Sequence, residues 1–463
     1  MGIYRRAQRI AEVTLGSWQA VGTRRLRQYR AVTGALALAL CLLMLSGAGG
    51  RAQANPAAEE FVPRQIMVEL QATNAGKCNE IIERINKKYG TTRLDNFEGG
   101  TDVYLLELPA TAPDVSGTAK KIKANEKGVL NAEPNYRMQA PEYAVHEGAA
   151  RFRAFGVSDL EPPPEEYAAS ELNLVDAHGI TKGRGSVVAV IDTGVQLSHP
   201  KLSGSLTDAR YDFVGNDPVP ADETNGQDND GDGLVDEKMF GHGTHVAGLV
   251  HFVAPEAKIM PLRALDPGGQ GDAFHIAQAI DYAEDNGANV INLSLGAPSR
   301  SQMLRQMIKD ATKKNANHKG VLVAAAAGNM NTSAPEFPAA DNGSKASTEG
   351  LVAVTAVNAS GQKLSWANYG DWVDIAAPGE NLRSAYPGDK YAAWSGTSMA
   401  TALVSGQAAL IRANDDSLGP ARVEEKIRCS ARPLDETAPD YAGMLGAGYI
   451  NVGASLAQDA CSS

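Results

Sequence analysis

The stretch that decides the fold is Val187-Val188-Ala189-Val190-Ile191-Asp192-Thr193-Gly194. Five apolar residues, four of them β-branched, run directly into a carboxylate and a glycine. A short continuous apolar run of this kind predicts a strand that is buried on both faces, as in a parallel sheet. Such a strand presents the Asp192 carboxylate at its C-terminal edge.

Two distant segments have the local context of helix N-termini. His242 follows a Gly and opens an apolar helical pattern, and Ser398 follows the pair Gly396-Thr397 at the start of another. Backbone N–H groups point outward at such ends and favour negative charge. His245 lies three residues further along the first helix and is interpreted as structural.

The three residue types suit nucleophilic catalysis. A serine hydroxyl is a poor nucleophile at neutral pH, so Ser398 needs a base within hydrogen-bond reach. An imidazole with a pKa near ~6.5 can accept and return that proton, which makes His242 the candidate base. Asp192 would hold the ring in the required tautomer and stabilise its protonated form.

The order Asp192, His242, Ser398, in these motifs, resembles the subtilisin-like (subtilase) family of serine peptidases. The apolar run that starts at Val321 and ends in Gly328-Asn329 completes the resemblance. In that family the Asn at this place donates its amide to the developing oxyanion, so the same role is expected of Asn329. The implied activity is hydrolysis of peptide bonds in proteins by a serine endopeptidase.

The resemblance also implies a substrate cleft. Its expected edge strand is a Gly-rich loop that pairs with an extended substrate, and its primary pocket is lined mainly by backbone. The expected substrate-binding residues are Gly269, Gln270, Gly271, Ser294, Leu295, Gly296, Ala326, Ala327, Gly328 and Glu336. A carboxylate from Glu336 on the pocket floor would favour Lys or Arg in the substrate. The default expectation, however, is that Glu336 faces solvent and that the preference is a broad one for large or apolar residues.

The chain has the length and charge of an exported multi-domain precursor. It has 463 residues, too many for one ordinary domain, and its net charge of −11 argues against nucleic acid as the main partner. Residues 1–54 are interpreted as a signal peptide, because seven Arg precede the apolar run Ala35–Leu45 and Ala52-Gln53-Ala54 resembles a cleavage site. Secretion is therefore expected, with a periplasmic location or an uncleaved anchor as alternatives.

Residues 63–140 show strand and helix patterns in the order β-α-β-β-α-β, if one strand is assumed before Thr101. Their place ahead of the peptidase resembles the family's inhibitory prodomain, which the catalytic domain itself removes. An accessory domain is the alternative. Residues 141–166 are expected to be a linker, since Pro162-Pro163-Pro164 is flanked by Glu161 and Glu165.

Residues 167–463 form the expected peptidase domain, in which apolar strands alternate with helices. The predicted fold is α/β, with a doubly wound, mostly parallel sheet in the catalytic domain and a small ferredoxin-like α+β prodomain before it. Further strands are predicted at 258–265, 351–357 and 372–377, and helices at 273–286, 301–316 and 398–413.

An acidic loop and two cysteines complete the predictions. Asp228, Asp230, Asp232 and Asp236 follow the opening of an EF-hand loop and predict a Ca²⁺ site, although Met239 stands where that loop has Glu. A solvated acidic loop is the alternative. Cys429 and Cys461 are the two Cys left once the signal and prodomain are removed, and they predict a disulfide.

Two other classes of function compete with the peptidase. One is a catalytically silent subtilase fold used for binding, which the intact Asp, His, Asn and Ser argue against. The other is a calcium-dependent adhesion protein, which only the acidic loop supports. The expected partners are protein or peptide substrates and the chain's own prodomain, with no nucleic acid, no membrane after signal removal, and a monomeric state.

Overall fold

A computed structural model of the chain describes residues 60–71, 74–98, 102–112, 114–143, 155–158, 166–223, 239–313, 319–342, 348–457 and 461. The predicted signal peptide and the acidic loop 228–236 lie outside these residues. Among the described helices, none combines the length and the apolar character needed to cross a membrane.

The N-terminal unit is a four-stranded antiparallel sheet covered by two helices. The sheet order is β2-β3-β1-β4, and Ile66, Ile82, Leu106 and Ile122 are fully or almost fully buried in its core. The elements are β1 (Phe61–Leu70), α1 (Ala75–Tyr89), β2 (Thr92–Glu98), β3 (Asp102–Glu107), α2 (Val115–Asn125) and β4 (Val129–Gln139). This confirms the ferredoxin-like order, and β2 is the strand that the sequence required before Thr101.

The second unit is built on a seven-stranded sheet of the order β13-β12-β11-β10-β6-β8-β7, in which all neighbours are parallel. Its elements are β5 (Phe155–Ser158), α3 (Glu166–Glu171), α4 (Leu174–Ile180), β6 (Val187–Asp192), β7 (Tyr211–Asp212), α5 (His242–Val253), β8 (Lys258–Arg263), β9 (Gln270–Asp272), α6 (Ala273–Asp285), β10 (Val290–Leu293), α7 (Gln302–Ala311), β11 (Leu322–Ala326), β12 (Leu351–Val357), β13 (Ile375–Pro378), β14 (Leu382–Tyr386), β15 (Lys390–Trp394), α8 (Thr397–Asn414), α9 (Pro420–Cys429) and α10 (Val452–Ser455).

Strand β6, the first of this sheet in the chain, has β8 on one side and β10 on the other, so the chain winds outward in both directions from it. This confirms the doubly wound α/β fold. Open sheets of this kind bind ligands at the carboxyl ends of their strands, beside the point where the winding direction changes. Residue Asp192 closes β6 at that point.

The observed element bounds differ from the predicted ones mainly at their ends. The last predicted strand begins at Ile375 instead of 372, because Trp372 lies in a turn that the bond from Val373 N to Gly370 O closes. Helix α7 begins at Gln302 because Ser301 is its N-cap and accepts a bond from Leu304 N. Neither difference moves a predicted site residue.

Candidate active site

The predicted catalytic residues lie at the ends of four different elements. Asp192 ends β6, His242 begins α5, Ser398 is the second residue of α8, and Asn329 follows β11. The side chains of the first three are completely buried, and Asn329 is almost so. Tertiary packing therefore brings together residues that are separated by up to 206 positions in the chain.

The Asp192 and His242 side chains form the expected pair. Oδ1 of Asp192 lies 2.7 Å from Nδ1 of His242 and accepts a second bond from Thr193 N at 2.7 Å. A ring nitrogen that faces a carboxylate carries the proton, so Nδ1 is the donor. The edge of the His242 ring packs against Trp394, with centroids 5.5 Å apart.

Asp222 is a functional-site residue that the sequence analysis missed. Its buried carboxylate accepts bonds from Gly241 N (3.1 Å), Thr244 N (3.2 Å) and Thr244 Oγ1 (2.6 Å), and from Thr193 Oγ1 at 3.4 Å. Gly241 occupies the N-cap position of helix α5 and has no side chain to cap it. The Asp222 carboxylate instead accepts bonds from the free N–H groups at this helix start. Burial raises the pKa of Asp222 to about 6. One carboxylate thus connects the segment after Asp192 to the helix that carries His242.

A second unpredicted carboxylate, Glu142, fills the centre of the site. Its Oε2 accepts a bond from Ser398 Oγ at 2.7 Å and lies 3.2 Å from Nε2 of His242. Its Oε1 accepts bonds from Asn329 Nδ2 at 3.0 Å and from Ser398 N at 3.4 Å. The four groups that a serine peptidase directs at a reacting carbonyl therefore converge on one side chain. From its sequence context, Glu142 belongs only to the predicted linker 141–166.

The amide of Asn329 is held in the orientation that an oxyanion donor needs. Its Oδ1 accepts bonds from Thr397 N and Thr397 Oγ1, both at 3.0 Å, and its Nδ2 donates to Oε1 of Glu142. Gly396 leaves room for the acceptor, because a Cβ at this position would collide with Oε1 of Glu142.

The surroundings of His242 and Glu142 favour the charged form of both side chains. Burial lowers the pKa of His242, but the charge and hydrogen bond of Asp192, with those of Glu142, raise it overall to about 10. Burial raises the pKa of Glu142, yet its bond and charge interaction with His242 hold it below the ordinary value. In this state His242 is an imidazolium between two carboxylates.

His245 lies outside this centre. Its Nε2 is 3.0 Å from Leu382 O and 3.1 Å from Ala392 O, so this nitrogen carries the ring proton. Burial, together with the charge of His242, lowers the pKa of His245 to about 3. The ring is a neutral bridge between α5 and the hairpin β14–β15.

The predicted edge segment binds the end of the N-terminal unit. Strand β9 pairs antiparallel with β4, with Met138 opposite Gly271 and Gln139 opposite Gln270. Ala140 N donates to Gly269 O at 2.9 Å. On the other side, Gln139 and Gly296 exchange two backbone bonds of 3.0 and 2.9 Å. The end of β4 is therefore held on both sides, as a substrate strand would be.

Glu336 lies against the backbone of two predicted pocket residues. A Cβ at Gly296 would meet its Cγ at 2.9 Å and its Oε1 at 3.1 Å, and a Cβ at Gly328 would meet its Cγ at 3.5 Å. The bonds between Ala297 and Phe337, both 2.8 Å, hold it there. Burial raises the pKa of Glu336 to about 7. Within the described parts of the chain, its carboxylate has no hydrogen bond or ion pair.

The remaining pocket residues support the nucleophile's helix. Ser294 Oγ donates to Ser398 O at 3.1 Å, and Leu295 is fully buried beside it. Ala326 and Ala327 are likewise fully buried at the end of β11.

The predicted metal and disulfide residues lie outside this site. The four Asp residues of the acidic loop fall outside the described residues. Cys429 and Cys461 are free thiols in this structure, and their sulfur atoms lie within 4.8 Å of each other and of a Glu425 carboxylate oxygen.

Comparison with known proteins agrees with this geometry. Residues 183–448 match the model of the subtilase family, peptidase S8. The chain is 38% identical to a thermophilic serine proteinase of Bacillus sp. (strain AK1) over 66% of this chain and 73% of that protein. It is 37% identical to thermitase of Thermoactinomyces vulgaris, over 56% and 85%.

A solved structure shares the fold over a longer span. Fervidolysin from Fervidobacterium pennivorans, a keratinolytic enzyme related to subtilisin, matches with a TM-score of 0.65 and 22% identity, over 86% of this chain and 61% of that one. Fold and relatives together define a serine endopeptidase. The chain belongs to the subtilase family.

Proposed function

We propose that this chain is the precursor of a secreted serine endopeptidase that inhibits itself and then processes itself. The observation that carries the proposal is the convergence of Ser398, His242 and Asn329 on one acceptor, with Asp192 behind His242. That arrangement suits acyl transfer to a serine.

In the reaction, Ser398 Oγ attacks the substrate carbonyl carbon while neutral His242 accepts its proton. Asn329 Nδ2 and Ser398 N donate to the oxygen on which charge develops; removing one such donor typically costs ~3–4 kcal/mol. His242 then returns the proton to the leaving amine, and water hydrolyses the acyl-enzyme. Asp192 keeps the proton on Nδ1 throughout.

The proposed substrates are extended protein segments. The support is the pairing of residues 137–140 with β9 on one side and Gly296 on the other, which uses backbone groups that any peptide carries. Glu336 adds selectivity: an unpaired, largely desolvated carboxylate beside Gly296 and Gly328 favours a Lys or Arg side chain entering that slot.

The proposed chain organisation is a signal peptide (1–54), an inhibitory prodomain (63–140), a linker (141–166) and a peptidase domain (167–463). Support for inhibition comes from two contacts of β4. Glu133 accepts bonds from Ser301 Oγ (2.5 Å), Gln302 N (3.0 Å) and Met303 N (3.1 Å) at the start of α7. Asn135 accepts one from Phe274 N (3.1 Å) at the start of α6. The prodomain thus caps two helices of the domain that it blocks.

Two stabilising features complete the proposal. Carboxylates at Asp228, Asp230, Asp232 and Asp236 are the hard oxygen donors that Ca²⁺ prefers, and they would hold the ion. Cys429 and Cys461 are close enough for small shifts to form a disulfide, which ties the C-terminal tail to α9. Mass spectrometry that finds two free thiols in the unreduced mature protein would rule the disulfide out.

A fluorophosphonate probe and casein hydrolysis test the activity. The wild-type protein should label at Ser398 and degrade casein after maturation, whereas Ser398→Ala should do neither. Ser360→Ala is the matched control, because Ser360 lies exposed in a turn. Casein degradation by the Ser398→Ala protein would overturn the proposal, and an unlabelled wild-type chain would favour a binding protein.

A further inference from the structure

The catalytic centre is occupied by a side-chain carboxylate and not by a peptide group. We propose that Glu142 is an inhibitory residue of the uncut chain: it takes the place of the reacting carbonyl and holds His242 in a charged form that cannot act as a base. This inference rests on the proposed peptidase function and names how that same site is regulated.

The first step of the argument concerns the nucleophile. Ser398 Oγ donates its proton to Oε2 of Glu142 at 2.7 Å, so this proton is directed to a carboxylate and not to His242. Both donors suited to an oxyanion, Asn329 Nδ2 and Ser398 N, bond to Oε1. A substrate carbonyl has to displace Glu142 before it can use either of them.

The second step concerns the charge on His242. Asp192 at the end of β6 faces Nδ1, Glu142 faces Nε2, and the uncharged Trp394 ring of β15 packs on the side. His245, on the same helix, is neutral because burial and the charge of His242 lower its pKa to about 3. Asp222 is a further carboxylate nearby, bonded to Gly241 and Thr244 on either side of His242. These groups stabilise an imidazolium, and an imidazolium cannot accept the Ser398 proton.

The third step concerns the backbone of the tail, residues 140–143. Tyr143 N bonds to Ala140 O at 2.9 Å and closes a turn directly after the substrate-like strand. Tyr143 Oη accepts a bond from Gln270 Nε2 at 3.0 Å. Within this turn, the Glu142 side chain enters the catalytic centre. Opening of the tail must therefore precede any cut made by this active site.

The arrangement with Glu142 in the catalytic centre, called the closed state below, depends on pH in a defined direction. The pKa of His242 is raised in the closed state to about 10, against an ordinary value near ~6.5. Where Glu142 is ionised, the ion pair contributes fully to inhibition at a pH below the ordinary pKa of His242, and this contribution is lost as the pH rises through about 10. Alkaline conditions should therefore release Glu142.

The test uses the full chain in two arms. In the first arm, Ser398→Ala protein with labelled histidines is titrated by NMR, with and without Glu142→Gln. We expect the titration midpoint of His242 to fall by about 1–3 pH units when the Glu142 charge is absent. Tyr143→Phe is the matched control; it removes the bond from Gln270 but keeps the carboxylate, and the His242 titration should not move.

In the second arm, Ser398 is intact and the full-length band is labelled with a fluorophosphonate at early times. Glu142→Gln should label roughly tenfold faster than wild type, because one partner of a buried ion pair is lost. An unchanged His242 titration, or unchanged labelling in a chain that hydrolyses casein after maturation, would overturn the inference. A chain that never hydrolyses casein overturns the proposed function instead, while the NMR arm, which needs no activity, still decides the role of Glu142.

Discussion

At the scale of single residues, the site is a set of buried carboxylates with different tasks. Asp192 orients the His242 ring and favours its protonated form, and Glu142 contacts the opposite ring nitrogen. Asp222 caps the start of the helix that carries His242. Glu336 stands apart, because no described group pairs with it and a substrate cation can do so. Two of these residues yield predictions for the mature enzyme.

Asp222→Asn should lower kcat roughly tenfold with little change in KM. The amide keeps one acceptor but replaces the other with a donor that faces Thr244 N, so the start of α5 and the His242 ring shift. The measurement is steady-state hydrolysis of a peptide, with exposed Asp416→Asn as the control. A rise in KM alone, with kcat retained, would contradict a positioning role.

Glu336 should make cleavage after Arg more efficient than cleavage after Leu, and this discrimination should grow as the pH rises through about 7, where its carboxylate ionises. Glu336→Gln should reduce the ratio of the two kcat/KM values roughly tenfold and remove its pH dependence. A peptide library profiled at two pH values provides the measurement. Equal or better cleavage after Leu or Phe by the wild-type enzyme would remove Glu336 from the pocket.

At the scale of elements, helix starts organise both catalysis and inhibition. Helix α5 begins at His242 and α8 begins at Thr397, directly before Ser398, whereas α6 and α7 begin where the N-terminal unit docks. Helix α7 also has its own cap, since Ser301 Oγ accepts from Leu304 N. The Glu133 carboxylate is therefore a second cap on this helix, supplied by the N-terminal unit.

Glu133→Ala should weaken prodomain binding and leave the mature enzyme unchanged. A lost cap costs about 0.5–2 kcal/mol, and a charge at a helix N-terminus adds to this, so the full-length chain should label with a fluorophosphonate roughly tenfold faster. The matched control is Glu80→Ala, which removes an exposed carboxylate on α1. The same labelling rate in both variants would show that Glu133 carries no docking energy.

At the scale of the whole molecule, the two units form one continuous arrangement in which β4 pairs with β9. The N-terminal unit and residues 140–143 contact the peptidase domain through backbone pairing, helix caps and the Glu142 side chain. If the proposed inhibition is right, the chain matures only when residues 140–143 leave the centre and the chain is cut.

Ser398→Ala should accumulate as a full-length precursor that lacks only the signal peptide. Self-processing requires the nucleophile, so the prodomain should stay attached in a host that lacks other proteases. Gel electrophoresis with N-terminal sequencing of the product provides the measurement, and Ser360→Ala should mature normally. Normal maturation of Ser398→Ala would mean that another protease makes the cut.

Calcium should raise the melting temperature of the mature enzyme and slow its self-digestion. The free energy of unfolding rises by about 2.7 kcal/mol when the free Ca²⁺ concentration is one hundred times the dissociation constant of the site. The acidic loop runs between Asp222 and Met239, and His242 N bonds to Met239 O at 2.9 Å, so losing the ion should also lower kcat. An unchanged melting temperature in excess chelator would count against the site; Asp228→Asn should reproduce the effect of the chelator.

The sequence by itself determined the fold class, the family and the expected catalytic quartet. It could do so because each catalytic residue lies in a short motif whose neighbouring residues predict the local backbone. A buried strand precedes Asp192, and a helix starts at His242 and another directly before Ser398. The order of elements in the N-terminal unit followed in the same way from strand and helix periodicity.

Only the tertiary structure decided the contacts of Glu142 and Asp222 and the surroundings of Glu336. Glu142 stands in a segment with no periodic pattern, and its partner Ser398 is 256 residues away. Asp222 bonds to Thr244, and the acidic loop 228–236 lies between these two residues in the chain. No local pattern encodes such contacts, because the distance between two side chains remote in the chain is set by how the sheet, the helices and the two units pack together.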